Sequence, residues 1–319
     1  MRLAILGAGA VGRAVTELAG EHGHTVVALA DSTSAAVEGA GAEGDGIDVS
    51  RALSRKKEAE RVGEFDPERV LEADYDVLVE ATPTTLGDAQ PGFGHIRVAL
   101  ERDRHVVLAN KGPVAERYEE LRALASASVG EVRFEATVGG AIPVLSTLED
   151  LGASQVTAVR GVLNGTANFI LTRMAAEGLD YDHVLAEAQD LGVAEADPTF
   201  DVEGTDAALK CVILANVLAD GGFSLDDADV EGIRGIPGSA LDLAAEDRRT
   251  VRLIGEATRD GVRVGPRLVT ENGTLAVTGT RNIVQIETRH AGRLNISGRG
   301  AGGPETATAV LADIGRLPE

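Results

Sequence analysis

The run Leu3-Ala-Ile-Leu6-Gly7-Ala-Gly9-Ala-Val-Gly12 decides how the first half of this chain folds. Four apolar residues read as a short buried strand. The three glycines then make a turn into a helical run from Arg13 to Glu21. Thr25 to Ala30 is a second strand and closes on Asp31, 19 residues after Gly12. Strand, glycine turn, helix, strand and terminal acid in this order fit a dinucleotide site. Gly7 permits the tight turn, Gly9 lets backbone approach a pyrophosphate, and Gly12 lets the helix meet the sheet. The helix N-terminus, with Ala10 and Val11, supplies N–H donors and a positive dipole end. Asp31, beside Ser32, would accept the hydroxyls of an adenosine ribose, which favours NAD. Ser32, Thr33, Ser34, Arg13 and the Lys56-Lys57 pair would suit a 2′-phosphate instead, so NAD and NADP both stay open.

The segments that follow continue this architecture. Residues 35–65 read as a glycine-rich acidic loop and then a helix around Arg51 to Arg61. A helical Pro67 to Ala73 leads to the strand Asp76 to Glu80 and the polar turn Ala81-Thr82-Pro83-Thr-Thr85. A helix through Arg102 feeds the strand His105 to Ala109, which closes on Asn110-Lys111-Gly-Pro113. Ligands of open α/β sheets bind at such strand ends, so Thr82, Pro83 and Lys111 are candidate cofactor contacts. Val132 to Ala136 is the last strand of this half. The segment Glu135 to Pro143 marks the domain change. A monovalent or other hard cation could sit there on the Glu135 carboxylate and exposed carbonyls, with a plain interdomain turn as the alternative.

The second half opens with the strand Val156 to Leu163 and the turn Asn164-Gly165-Thr166. Helices over Ala167–Glu177 and Tyr181–Leu191 lead to Glu195-Ala-Asp-Pro-Thr-Phe-Asp201-Val-Glu-Gly-Thr-Asp206-Ala-Ala-Leu-Lys210, which packs acids into a loop and opens a helix through Ala219. The i, i+4 spacing puts Asp206 and Lys210 on one helix face. A lysine beside a carboxylate, facing further acids, can hold a zwitterionic substrate and move a proton. Arg248–Thr258, Val262–Thr270, Thr274–Val277 and Asn282–Thr288 read as antiparallel strands with Gly/Asn turns. A glycine-rich entry containing Gly302 then leads into a final helix, Glu305 to Leu317. The expected fold is α/β: a Rossmann-type doubly wound parallel sheet over residues 1–134, then an α+β catalytic and dimerisation domain over 135–303. The helix of residues 304–319 is expected to pack back on the first domain.

Composition narrows the class. The 319 residues carry a formal charge of -21, which argues against nucleic acid and anionic membranes as partners. Of 30 basic residues only Lys56, Lys57, Lys111 and Lys210 are lysine. An acid-rich, arginine-rich surface suits concentrated salt, where screening removes self-repulsion; GC-rich coding explains the arginines equally well. Positions that stayed lysine are candidates for chemistry that arginine, permanently charged, cannot perform. The one cysteine, Cys211, lies in an apolar helix and reads as a core residue, consistent with a reducing cytoplasm. No apolar run approaches the roughly 18 residues of a membrane span, and the histidines show no metal spacing.

Together these segments resemble homoserine dehydrogenase, from Gly7 to the final helix. The residues carrying the likeness are Gly7–Gly12, Ala81-Thr-Pro83, Asn110-Lys111-Gly, Glu135-Ala-Thr-Val-Gly139, Gly161-Val-Leu-Asn-Gly-Thr166, Glu195–Lys210 and Gly300-Ala-Gly-Gly303. The resemblance implies NAD(P)-dependent interconversion of L-homoserine and L-aspartate 4-semialdehyde in threonine, methionine and isoleucine synthesis, by a homodimer. It implies that Lys111 and Lys210 flank the reacting C–O group, Lys210 transferring the proton and Asp206 orienting it. Glu195, Asp201 and Asp206 would surround the substrate ammonium, and Gly165 and Thr166 would line the site. Glu135 with the carbonyls of Val138, Gly140 and Ile142 would match the family's sodium site, for Na+ or K+. The turn reads Val-Gly-Gly where Val-Gly-Ala is usual, harmless if the ligand is a carbonyl. No attached regulatory or kinase module is expected. The alternatives are another Rossmann-type oxidoreductase of the aspartate pathway and a non-catalytic dinucleotide sensor. A phosphate-dependent semialdehyde dehydrogenase would need a reactive cysteine, for which Cys211 is a poor candidate.

Overall fold

The structure, a computed structural model, describes residues 1–39 and 46–318. It divides into two compact units, Met1–Ala141 with Ala301–Glu319, and Ile142–Gly300. The sequence reading set the boundaries at 134/135 and 303/304.

In the first unit β1 (Arg2–Leu6), α1 (Ala10–Leu18), β2 (Thr25–Ala30), β3 (Ala35–Val37), α2 (Val49–Ala59), α3 (Arg69–Glu72), β4 (Val77–Glu80), α4 (Gly92–Glu101), β5 (His105–Leu108), α5 (Gly112–Glu116), α6 (Tyr118–Ser126) and β6 (Val132–Arg133) follow in order. The sheet runs β3-β2-β1-β4-β5-β6. All pairs are parallel except β2 with the edge strand β3. The strands are near-continuous apolar runs because both faces are covered. The order reverses between β1 and β4, in register Leu6↔Glu80, so the ligand-binding crevice of such sheets lies at those two strand ends. Strand β3 falls in residues read as loop: it is three residues long, at an edge, and gives no alternation to detect. Part of that loop, residues 40–45, lies outside the described residues.

The second unit holds α7 (Leu145–Leu151), β7 (Val156–Val162), α8 (Gly165–Glu177), α9 (Tyr181–Asp190), α10 (Thr199–Val202), α11 (Thr205–Ala219), β8 (Ala228–Val230), α12 (Gly238–Glu246), β9 (Arg249–Ala257), β10 (Val262–Thr270), β11 (Arg281–Thr288) and β12 (Arg293–Arg299). Its sheet, β12-β11-β7-β9-β10-β8, is antiparallel apart from β10 with β8. Helix α13 (Gly303–Ile314) belongs to the first unit, where Ala307, Val310, Leu311 and Ile314 share a core with Ala14 and Val15 of α1.

Two expected elements differ, and one strand was not expected. The last strand of the first unit ends at Arg133, and Glu135–Thr137 form a 3₁₀ turn, because the Glu135 N–H goes to the Asp313 carboxylate rather than to a strand. Thr274–Val277 is not a strand. Leu275 and Val277 lie across the sheet on Val162, Ile254 and Ile283, and the Val277 carbonyl accepts from Arg252 and Asn168. Strand β12, which no expected element covered, pairs with β11.

Candidate active site

Helix α11 carries the chemistry of the second unit. Lys210 Nζ donates to Asp206 Oδ2 and to the Leu163 carbonyl, each at 2.7 Å. Both side chains are more than nine-tenths buried, so the ammonium keeps its charge company inside the fold. Asn164 Nδ2 donates to Asp206 Oδ2 at 2.9 Å and to Asp201 Oδ1 at 2.6 Å, and its Oδ1 caps α8 by accepting from Ala167 N–H. One amide thus ties α8, α10 and α11 together. Burial first, and then the negative charge of Asp206, push the Asp201 carboxyl above its ordinary value. Thr166 Oγ1 donates to the Val193 carbonyl at 3.0 Å and fixes the loop before α10. Gly165 opens α8, where a Cβ would come within 2.9 Å of the Thr280 carbonyl. Glu195 is not part of this cluster: its side chain is exposed, and its carbonyl accepts from Gln189.

Two asparagines here escaped the sequence reading as site residues. Asn164 carried one legible signal, its place as a cap before a helical run. Asn282 on β11 carried none. Its Nδ2 donates to the Leu163 carbonyl at 3.0 Å, so that oxygen serves both Asn282 and Lys210. Asn282 Oδ1 is buried and has no hydrogen-bond partner among the described residues. Cys211 is fully buried, and burial pushes its thiol up to about 12, the behaviour of a core residue.

The glycine turn of the first unit has the geometry its spacing implies. Gly7 takes φ +103° and its Cα lies against the turn after β4, where a Cβ would be 2.3 Å from the Ala81 carbonyl. A Cβ on Gly12 would be 1.7 Å from the Gly7 carbonyl, so helix and turn touch directly. A Cβ on Gly9 would meet nothing within 4 Å. Helix α1 starts at Ala10 with no side-chain cap and no acid in its first turn, while Ala10 is exposed and Val11 half-buried. An uncapped helix start beside an open glycine fits a dinucleotide pyrophosphate. Gly302, at φ +125°, starts α13, and Gly303 lies beside the Ala10 carbonyl.

Asp31 is more heavily engaged than its motif suggests. Its Oδ1 accepts from the N–H and hydroxyl groups of Thr33 and Ser34, and Lys56 Nζ donates to Oδ2 at 2.9 Å. Burial alone would raise this carboxyl; the Lys56, Thr33 and Ser34 donors outweigh it and hold it at about 2. Ser32 is exposed. Across the sheet, Thr82 is half-buried, Pro83 exposed and Lys111 half-buried at the start of α5.

In the turn after β6 Glu135 and Val138 are buried, and Gly140 adopts φ +58°. The Ile142 carbonyl accepts from Val144 N–H at 2.9 Å. Among the described residues no three His, Cys, Asp or Glu side chains gather as a metal cluster. A cation here would rest on one carboxylate and on carbonyls, a donor set that suits Na+ or K+. The sequence reading missed Asp313, whose Oδ2 accepts from Glu135 N–H at 2.8 Å.

The sequence profile described as "Homoserine dehydrogenase, NAD binding domain" matches residues 7–135, and that described as "Homoserine dehydrogenase" matches residues 143–314. The chain belongs to the homoserine dehydrogenase family. Among homoserine dehydrogenases, that of Methanocaldococcus jannaschii is 38% identical over 98% of this chain and 97% of its own length. The NAD(+)-dependent enzyme of Pseudomonas canavaninivorans is 42% identical over 75% of this chain and 70% of its own. The crystal structure of the Archaeoglobus fulgidus homologue superposes with a TM-score of 0.89 at 40% identity, covering 98% of both chains. A hyperthermophilic archaeal homoserine dehydrogenase in complex with NADPH gives 0.84 at 28% identity, covering 98% of this chain and 96% of that one. As a homoserine dehydrogenase, the chain is an NAD(P)-dependent oxidoreductase that interconverts L-homoserine and L-aspartate 4-semialdehyde. The reaction serves threonine, methionine and isoleucine biosynthesis. No helix among the described residues is long and apolar enough to cross a membrane.

Proposed function

We propose that Lys210 is the proton-transfer residue of this reaction, on the strength of its buried hydrogen bonds to Asp206 and the Leu163 carbonyl. The dinucleotide, when bound, exchanges the hydride with the substrate carbon. Reduction of the aldehyde needs a proton at the carbonyl oxygen, and oxidation of the carbinol needs that proton removed. Lys210 gives it in the first direction and takes it in the second, a role that typically contributes about 10²–10⁴-fold. Asp206 holds the Lys210 amine in orientation. Asp201 and Asp206 receive the substrate ammonium, with Gly165 and Thr166 lining the site; Glu195, exposed outside the cluster, is not assigned to it. Lys111, at the start of α5, joins the dinucleotide contacts of the first unit. Gly7, Gly9, Ala10, Val11, Gly12, Asp31, Ser32, Thr82, Pro83 and Gly302 contact the dinucleotide.

Na+ or K+ on Glu135 and the carbonyls of Val138, Gly140 and Ile142 completes the turn after β6. The enzyme works as a homodimer in the cytoplasm, where the lone buried thiol of Cys211 stays reduced. The experiment is oxidation of NADH and NADPH with L-aspartate 4-semialdehyde, run beside a Lys210→Ala variant that still binds cofactor. Turnover by wild type and its loss in the variant are expected. Equal turnover by both would overturn the assignment of Lys210.

A further inference from the structure

A second buried charge cluster lies in the first unit, at the end of β4. Glu80 is the last residue of that strand and is fully buried. Strand alternation puts Val77 and Val79 on the side of α1 and α13, in their core cluster, and sends Glu80 to the side of α4. There His95 Nδ1 stands 2.7 Å from Glu80 Oε2. The other oxygen, Oε1, accepts from Thr82 N–H at 3.0 Å and from the Thr82 hydroxyl. That hydroxyl accepts from Asn110 Nδ2 at 3.1 Å, so its own proton points to Glu80. Asn110 also donates to the Pro83 carbonyl and accepts from Gly112 N–H. Oε1 accepts from both Thr82 donors, and Oε2 accepts as well in the tautomer that carries a proton on His95 Nδ1. Among the described residues the one ion-pair partner of Glu80 is His95, and that only when the imidazole is protonated.

This places a negative charge directly under the turn Ala81–Thr85, at the point where the strand order reverses. In a doubly wound sheet the adenosine half of a dinucleotide lies over the β1–β2 side, so its nicotinamide half falls to the β4–β5 side. The nicotinamide ring is cationic when oxidised and neutral when reduced. A buried carboxylate acts through a low-dielectric interior and discriminates between those two states.

We infer that Glu80 is a positioning residue that holds the Thr82–Pro83 turn through Thr82 and Asn110, and that its charge favours the oxidised over the reduced cofactor. His95 sets the strength of that charge by donating to it. The inference rests on the proposed contact of Thr82 and Pro83 with the cofactor.

The test is the ratio of dissociation constants for NADP+ and NADPH, measured by titration without substrate. Glu80→Gln is expected to weaken NADP+ relative to NADPH by about five- to tenfold. His95→Leu on α4 is expected to move the ratio the other way, tightening NADP+ relative to NADPH, because an apolar side chain withdraws the donor that damps the Glu80 charge. This second variant decides the matter if Glu80→Gln does not fold. Equal weakening of both cofactor forms would leave Glu80 with a structural role only and overturn the inference. Thr82→Val separates the two readings: if it alters neither dissociation constant, the Thr82–Pro83 contact itself is wrong.

Discussion

Lys210 and Asp206 stand one turn apart on α11, with Nζ and Oδ2 2.7 Å apart and both side chains out of solvent. A surface pair at this spacing would contribute only a few tenths of a kcal/mol. A buried pair is costly to break, because removing one partner strands the other charge. Lys210→Ala is therefore expected to lower kcat by about 10²–10⁴ with cofactor binding nearly unchanged. Lys210→Arg is expected to be almost as damaging, since guanidinium keeps the charge but does not give up a proton. Steady-state kinetics and cofactor titration check both. Full activity in the arginine variant would leave Lys210 an electrostatic role only.

Asn282 shares the Leu163 carbonyl with Lys210 and offers a second handle on the same proton. Asn282→Asp puts a carboxylate within reach of the ammonium and stabilises its charged form. The pH profile of kcat/KM for homoserine oxidation, which needs the neutral amine, is expected to shift to higher pH. Asn282→Ala only frees a lone pair of Leu163 and is expected to cost less than about tenfold. A profile that stays in place in the Asp variant would show that the shared carbonyl carries no coupling.

The periodic and glycine-marked features were legible in the chain before folding. Gly7, Gly9 and Gly12 mark the turn by their spacing, and Asp206 with Lys210 follows from helical spacing alone, although the Ala81 carbonyl that crowds Gly7 comes from a distant turn. What stayed hidden was set by distant partners. Asn282 reaches a carbonyl 119 positions away, and Asp313 reaches the Glu135 N–H 178 positions away. Lys56 was legible as a candidate for a 2′-phosphate, but its ion pair with Asp31 was not, because nothing local reveals that α2 lies beside the end of β2. Strand β12 was missed because an exposed edge strand has too little apolar content to separate it from a loop.

The acidic surface has a consequence for solvent conditions. With 51 acids against 30 bases, the folded chain carries a formal charge of -21. Compaction brings those charges together, and salt shortens the reach of their repulsion from about 10 Å at 0.1 M to about 3 Å at 1 M. The thermal unfolding midpoint and the activity are both expected to rise between dilute buffer and molar KCl. A midpoint that is flat or falls across that series would remove salt adaptation as the reason for the composition.

The Asp31–Lys56 pair links cofactor choice to stability. Asp31 has one oxygen filled by Thr33 and Ser34 and the other by Lys56, so a ribose hydroxyl must compete with an ammonium. A 2′-phosphate instead gains that ammonium as a partner. Lys56→Ala leaves Asp31 to repel the phosphate, and the specificity-constant ratio for NADPH over NADH is expected to fall by about tenfold or more. Asp31→Asn removes the repulsion and is expected to raise the same ratio. The stability effect has a definite sign. The Asp31 carboxyl is lowered from 3.8 to about 2 on folding. Its contribution, about 2 kcal/mol, is present above pH 3.8 and is lost as pH falls through about 2. Asp31→Asn is therefore expected to be less stable than wild type by roughly that amount at neutral pH, about 2 kcal/mol, with the gap narrowing in acid. Urea unfolding of both proteins from neutral pH downward reads it directly. A gap that persists unchanged below pH 3.8 would assign the loss to the hydrogen bonds of Thr33 and Ser34, and not to the charge that Lys56 answers.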